Sequence, residues 1–368
     1  MMALCAGQGL HCAPDRHASE TALLVTDVSH SSVKRQSIGN CWLYAVASWT
    51  ESLHKSYTGT EIDISESYWT WWHWYEQIIG SELQEVSTGG NFQTATSIIR
   101  RHGLVEEGVF ITEEADSEMS SRQSEALTMV NQALAEGGSL HDRASRTPDA
   151  VRALLDQAFK TNMDTIIPIQ PHELVVGRYQ DGDNFTLMEL LSRPALRWRR
   201  LTFPQVHGAA AQPDLRIRNT RRKQWQRALR ALNDRYPVIM SVMVDFNALD
   251  PSDGMFKLET LREAGEPGRQ GGHLLPLQDY VVDDVPGFGT LGEGDLPSHM
   301  KTAALSGKLR YVKAKNSWGS GRPERGLSDG YTSFHAEYLS QQIEWTQEHG
   351  ETSQWRAALT SFIIPPGY

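Results

Sequence analysis

Residues 33–47 read VKRQSIGNCWLYAVA. Gly39-Asn40 is a turn signal, and Leu43, Val46, Trp49 and Leu53 then recur at helical spacing. Cys41 therefore stands where a helix begins. Two readings of it compete. A cysteine there is either a small apolar residue packed at a helix start or a nucleophile, because the positive end of the helix favours thiolate over thiol.

Outward from this stretch, the chain alternates segments of recognisable period. ISESYWTWWHWYEQII (64–79) predicts a helix capped by Ser65, with aromatics on more than one face. That wide apolar surface fits a helix buried in a core; an aromatic ligand wall is the alternative. Gly89-Gly90 is a turn before NFQTATSIIRRHG, which ends at Gly103. Residues 112–160 read as polar and helical, broken at Gly137-Gly138 and Pro148. IIPIQ and LVVGRY (166–179) predict short strands, and Asn219–Arg235 a helix. PVIMSVMV (237–244), GGHLLPLQDYVVDD, LRYVKAKNSW and FIIP predict strands of a buried sheet. Helices come first and strands later, so the fold class is α+β.

The 368 residues suffice for one large domain or two ordinary ones. No run of eighteen apolar residues predicts a membrane span. A net charge of -10 disfavours nonspecific binding to nucleic acid or anionic membrane. Three cysteines without a CxxC pair give no disulfide framework, which fits a reducing compartment and favours the cytoplasm. Export stays open if a leading segment was removed, and Cys5 could then be a lipid-attachment residue.

A thiol nucleophile needs a histidine to move its proton and a polar group to orient that histidine. His273 opens an apolar strand after Gly271-Gly272, a geometry suited to a cleft wall. Asn316, in KNSWG, can accept from one imidazole nitrogen and leave the other facing the thiol. Trp318 can shield that hydrogen bond from water.

Gln…GNCW, then GGH, then KNSWG, in that order, resembles the papain-like cysteine peptidases. ISESYWTWWHW, GGNFQTATSIIRRHGLVEEGVF and the ending SFIIPPGY are most similar to the bleomycin hydrolase and aminopeptidase C branch. The resemblance implies a two-lobed fold, with a helical lobe carrying the nucleophile helix and facing an antiparallel, barrel-like sheet lobe. It implies an N-terminal arm over 1–32 and a catalytic domain over 33–368. Within that domain the helical lobe is expected at about 33–135, an insertion at about 136–220 and the sheet lobe at about 221–368. It implies a Cys41, His273 and Asn316 triad, with Trp318 shielding it. Oxyanion donors would be Gln36 and the N–H of Cys41. Gly89, Gly90, Trp42 and Gly272 would bind substrate, with the paired glycines meeting peptide backbone. The implied activity is hydrolysis of peptide bonds in a peptide or protein substrate through an acyl-enzyme, with no cofactor and no metal. A homo-oligomer is possible in that branch. Thiol acyl transfer or amide hydrolysis, and a binding module without catalysis, are the alternatives.

Two features depart from the family. Gln36 lies five residues before Cys41, one fewer than usual. His273 lies 232 residues after Cys41, against roughly 130–150 in the simplest members. The branch's tail runs into the cleft and restricts it to chain ends, so the place of Pro365–Tyr368 bears on endopeptidase against aminopeptidase action.

Three further motifs are read as structural. GFGTLG (287–292) is a loop and not a nucleotide site, since no helix follows it. The acids around it, Asp283, Asp284, Glu293 and Asp295, lack the spacing of a calcium loop. Residues 193–235 hold twelve Lys or Arg against two acids, a solvated basic face or a docking stripe for an acidic partner. Asn184-Phe185-Thr186 is a formal glycosylation triplet.

Overall fold

Both sequence periods, the helical and the strand, build a lobe each in the computed structural model, which describes residues 28–322, 326–327, 329–346 and 353–368. Cys5, and the arm predicted over 1–32 except for its last residues, lie outside those described. The fold is α+β.

The first lobe is helical. Helix α1 (Cys41–Thr58) runs through its centre and ends at Gly59. Trp49, Trp69, Trp71 and Trp74 are all fully buried between α1, α2 (Glu66–Gly80) and α3 (Phe92–His102). The aromatic helix is thus core, and Ser65 caps it by accepting from the Tyr68 N–H. Helix α3 ends where Gly103 adopts φ 73; a Cβ there would lie 2.6 Å from the Ile169 carbonyl oxygen. Only glycine permits that approach. Helices α4 (Ser121–Leu134) and α5 (Pro148–Phe159) complete the bundle. Pro148 opens α5 at a position where its missing N–H costs nothing.

The segment 166–179 contains one strand, not two. Strand β1 (Val175–Arg178) pairs β2 (Asn184–Thr186), whereas Ile169 makes only an isolated bridge to Leu104. Pro168 interrupts the run that looked like a first strand, and it has no N–H for a ladder. The glycosylation triplet is β2 itself, and Thr186 forms a capping box with Glu189 on α6 (Leu187–Ser192). Much of the segment 136–220 therefore packs into the helical core: Leu155, Val176, Leu190 and Trp198 belong to it.

Among the described residues the second lobe holds nine strands in one sheet: β3 (Arg199–Thr202), β4 (Ile239–Asp245), β5 (Leu249–Asp250), β6 (Met255–Phe256), β7 (Gln270–Val285), β8 (Gly289–Leu291), β9 (Lys308–Lys315), β10 (Tyr331–His335) and β13 (Leu359–Ile364). Their order is β3-β13-β4-β7-β9-β10-β6-β5, with β8 beside β7. Every pair is antiparallel except β10 with β6. Strands β11 (Gln342–Trp345) and β12 (Gln354–Ala357) form a separate hairpin. Helix α7 (Leu215–Asn233) covers the sheet through Ala228, Leu229 and Leu232. It starts four residues before the predicted Asn219, because Asp214 accepts from the Ile217 N–H and caps it there.

One strand positions the site. β7 is sixteen residues long and serves two neighbours in succession. Residues 270–276 pair with β4, and 277–283 pair with β9. Pro276 stands at the hand-over, where a proline is tolerated inside a sheet. The first half of β7 thus keeps a free edge opposite β4, and that edge meets α1. No described helix is long and apolar enough to cross a membrane.

Candidate active site

Cys41 is the first residue of α1, at the helix end that carries partial positive charge. Asn40 precedes it without capping the helix by its side chain. The Asn40 amide turns inward instead, donating to Thr70 Oγ1 (3.0 Å) and Gln123 Oε1 (2.8 Å). Fully buried Gln123 also donates to the Tyr44 hydroxyl and Ser67 Oγ. This polar network fixes the turn that presents the thiol. Gln123 was not legible in the sequence, because its helix SRQSEALTMVNQAL reads as a solvated one.

The thiol faces β7. Cys41 Sγ lies 4.0 Å from the Gly272 carbonyl oxygen, and the Leu274 N–H favours its ionised form. Those two backbone groups flank His273, which pairs with Val242 of β4 on the other side. The edge of β7 not taken up by β4 is therefore the one against which Cys41 sits.

His273 is 6% exposed. Its Nε2 lies 2.8 Å from Asn316 Oδ1. Asn316 directly follows β9 and is itself held twice: its Nδ2 donates to Thr332 Oγ1 (2.7 Å), and its Oδ1 accepts from the Ser317 N–H (2.8 Å). That network orients the amide with oxygen toward the imidazole, so Nε2 carries the hydrogen and Nδ1 is the basic nitrogen. Trp318 stacks on the His273 ring, centroids 5.0 Å apart and planes within 14°. Phe246 packs against the same indole.

Burial dominates both titrations. It pushes the Cys41 thiol up to about 11, against the pull of the Leu274, Trp42 and Cys41 backbone N–H groups. It pushes His273 down to about 4, with the Asn316 hydrogen bond acting in the opposite sense. Both shifts favour the neutral forms, thiol and imidazole.

Gln36 is placed in the same wall. Its backbone N–H donates to the Ser317 carbonyl (2.9 Å), and its Oε1 accepts from Ser317 Oγ (2.5 Å). The side chain also curls back, Nε2 donating to Ile38 O at 2.7 Å. The short step to Cys41 is closed by that curl, and one of the two Nε2 hydrogens is engaged in it.

Gly90 packs on Trp42: a Cβ at Gly90 would fall 2.4 Å from the indole. The Trp42 Nε1 donates to the Thr88 carbonyl (2.9 Å), and His73 Nε2 lies 3.2 Å from the Gly89 carbonyl. The Gly89-Gly90 turn is therefore locked beside the residue that follows Cys41.

Behind the site lies a buried ion cluster. Lys34 Nζ is within 4.0 Å of carboxylates of Glu51, Asp63, Glu66 and Glu107. Lys315, next to Asn316, approaches Glu51 from the other lobe, and burial lowers it to about 8. Burial and neighbouring Glu107 hold the Glu114 carboxyl up at about 8. The cluster ties α1, α2 and β9 together around the cleft.

The remaining motifs lie elsewhere. Gly287 and Gly289, with φ 81 and 76, form the β7–β8 hairpin turn. Asp283 pairs with Arg310, Glu293 with Lys313 and Asp295 with Arg235 and Lys301. Those acids are neutralised by cations, and no cluster of metal-ligating side chains occurs among the described residues. Tyr368 packs edge-on against Tyr236, whose hydroxyl lies 3.4 Å from that of Tyr57. Tyr57 is sixteen residues past Cys41 on α1, or about 24 Å along the helix axis. Residues near 368 thus pack far from the thiol.

No family model matches the sequence, and no curated protein does. Among solved structures, pepw from Lactobacillus rhamnosis matches at 12% identity and a TM-score of 0.48, covering 94% of this chain and 82% of that one. The Amb a 11 cysteine protease, a ragweed pollen allergen in its proform, matches at 14% identity and a TM-score of 0.34. The chain covers 65% of that protein's length, with 92% of itself aligned. The chemistry of the site rests on the residues themselves.

Proposed function

We propose that the chain is a papain-like cysteine peptidase using Cys41, His273 and Asn316. One observation carries the reading: Cys41 Sγ abuts β7 at His273, whose Nε2 is held by Asn316 at 2.8 Å. Nucleophile, base and orienting group are the three parts that thiol acyl transfer requires.

In the reaction, His273 Nδ1 takes the Cys41 proton as sulfur bonds to the substrate carbonyl carbon. The resulting oxyanion lies toward the Cys41 N–H and the second Nε2 hydrogen of Gln36. The C–N bond then breaks, and the imidazolium gives its proton to the leaving amine. Water attacks the thioester, His273 accepts its proton, and the thiol is restored as the acid product leaves. Asn316 keeps Nε2 protonated throughout, and Trp318 covers that hydrogen bond.

The raised thiol and lowered imidazole support a base-assisted attack over a standing thiolate–imidazolium pair. Charge separation then comes with substrate, when the oxyanion site is filled. Gly89-Gly90 offers its backbone to an extended peptide. The segment 365–368 packs against Tyr236, away from the thiol, so it does not itself lie in the cleft, and internal cleavage is the proposed mode. An internally quenched peptide with both termini blocked tests this. Internal cleavage, abolished in Cys41→Ala, is expected. Release of single residues from free amino termini only would overturn the endopeptidase part.

A further inference from the structure

Helix α7 (Leu215–Asn233) carries seven Lys or Arg and no Asp or Glu. Like charges one turn apart, as in Arg218 with Arg222 and Lys223 with Arg227, oppose helix formation. Two of the seven are engaged in the fold: Arg221 donates to the Pro204 and Ser340 carbonyls, and Arg227 to that of Tyr368. The other five, Arg216, Arg218, Arg222, Lys223 and Arg230, are exposed and pair with no acid among the described residues. Arg235, just beyond the helix, does pair, with Asp295. Arg216, Lys223 and Arg230 recur every seven residues. They therefore form one nearly straight row along the helix, in steps of about 10.5 Å.

Beside the row lies a pocket of about 440 Å³. Helix α7 supplies Arg222, Trp225 and Leu229 to it, at i, i+3 and i+7 on one face. Leu305 and Leu309 complete an apolar floor, and Lys308 and Asp284 stand with Arg222 at the rim. Leu215, 66% exposed, lies seven residues before Arg222 on the same side of the helix. Lys308 opens β9, and Asn316 directly follows the other end of that strand, eight residues or about 26 Å away. This surface therefore stands apart from the candidate active site.

The spacing selects the occupant. Residues on one face of an extended strand recur about every 6.7 Å, which does not match steps of about 10.5 Å. Residues seven apart on a second helix recur at that same step. A bilayer requires apolar side chains that stand out from the surface, and here all but Leu215 are recessed. Single-stranded nucleic acid requires aromatic rings between the cations. Trp225 is the one aromatic of α7, and it packs against Phe203 and Phe362.

We infer that α7 docks an acidic helix of a partner protein. Carboxylates seven residues apart on that helix meet Arg216, Lys223 and Arg230, and an apolar side chain between them enters the pocket at Leu229. Charge complementarity commits the surface to this occupant: a row of exposed cations without acidic partners, in a chain of net charge -10. The docking surface does not depend on the chemistry of Cys41.

The experiment titrates the full chain carrying Cys41→Ala, so that binding is measured without turnover. The probe is a fluorescein-labelled, alanine-rich helical peptide of three heptads, with one glutamate and one leucine in each, followed by anisotropy. It is expected to bind about ten-fold more tightly than the same peptide with glutamine for glutamate, three exposed ion pairs acting together. That gap shrinks as salt rises. Alanine in place of leucine weakens binding about ten-fold, through lost apolar burial in the pocket. In Arg216→Gln/Lys223→Gln/Arg230→Gln the glutamate and glutamine peptides converge; all three side chains are exposed, and circular dichroism checks the fold. Equal binding of those two peptides without the triple change overturns the inference, as does no binding of any peptide. A glutamate preference that survives the triple change also overturns it, placing the charge elsewhere. Equal binding of a peptide with its glutamates five residues apart refutes the helical register. Tighter binding of oligothymidylate than of the glutamate peptide overturns the inference in favour of a nucleic-acid surface.

Discussion

Replacing Asn316 by aspartate should move the acid limit of activity upward. The Asn316 oxygen lies 2.8 Å from His273 Nε2, in a site where the imidazole is 6% exposed. A carboxylate there puts a negative charge about 4 Å from the centre of the imidazolium. At an effective dielectric near 20 that pair is worth about 4 kcal/mol, or about three pH units. Burial alone now holds His273 down to about 4. The carboxylate stabilises the charged ring, so protonation sets in at higher pH and removes the base that accepts the thiol proton. Thr332 can rotate its hydroxyl to donate to the new oxygen, so the fold survives. The assay is kcat/KM against pH, with a blocked peptide, for the unsubstituted and Asn316→Asp proteins. The acid limb should rise by about two to three pH units. Asn316→Ala provides the contrast: it leaves His273 Nε2, the Ser317 N–H and the Thr332 hydroxyl unpaired. Unmet buried groups cost about 1–3 kcal/mol each, so a fall of about 3 kcal/mol in stability is expected. An acid limb that stays in place in Asn316→Asp refutes the argument that Asn316 governs the catalytic base.

Three other outcomes follow from the same geometry. Gly90→Ala puts a methyl 2.4–2.7 Å from the Trp42 indole; overpacking of this kind costs about 1–3 kcal/mol, and kcat/KM should fall further than stability because Trp42 adjoins Cys41. Lys34→Met strands the buried carboxylates of Glu51, Glu66 and Glu107; urea unfolding should show a loss of about 3–5 kcal/mol at pH 7, narrowing at lower pH as the carboxyls take up protons. His273 falls from 6.5 to about 4 on folding, so the unfolded chain binds the proton first; stability should drop as pH falls from 6.5 to 4, by about 3 kcal/mol from this group. His30, lowered to about 3, acts in the same direction, and His30→Phe should soften the acid loss of melting temperature.

Much of this was legible in the sequence, because it lay in period and order. The nucleophile helix, the aromatic helix and the strands at 237–244, 270–285 and 308–315 follow hydrophobic spacing, which burial enforces locally. The pairing of His273 with Asn316 follows from residue chemistry once β7 and the end of β9 are neighbours. What was not legible depends on contacts distant in sequence. Gln123 lies on a helix whose outer face is polar, and only its neighbours Asn40 and Tyr44 mark it as internal. The strand predicted at 166–170 failed because Pro168 has no N–H for a ladder and only Ile169 finds a partner, in an isolated bridge to Leu104. The start of α7 was missed because Asp214 caps it before its apolar side begins. Phe92 of α3 and Trp198, about a hundred residues later, meet on Trp49, a juxtaposition that spacing alone does not express.

Gln36 marks where this chain departs from the pattern it resembles. The shortened step is absorbed by a hydrogen bond from Nε2 to Ile38 O, and Ser317 holds the amide oxygen. Half of the amide's donor capacity therefore maintains the loop. In the proposed mechanism the Cys41 N–H, at the start of α1, is the oxyanion donor that does not depend on Gln36.

The most direct measurement is mass-spectrometric mapping of a thiol-directed epoxide peptide on the full chain, alongside turnover. The account predicts a single adduct on Cys41, complete loss of cleavage with it, and a labelling rate that falls sharply in His273→Ala. An adduct on Cys5 or Cys12 with activity lost, or full cleavage retained in Cys41→Ala, would contradict it.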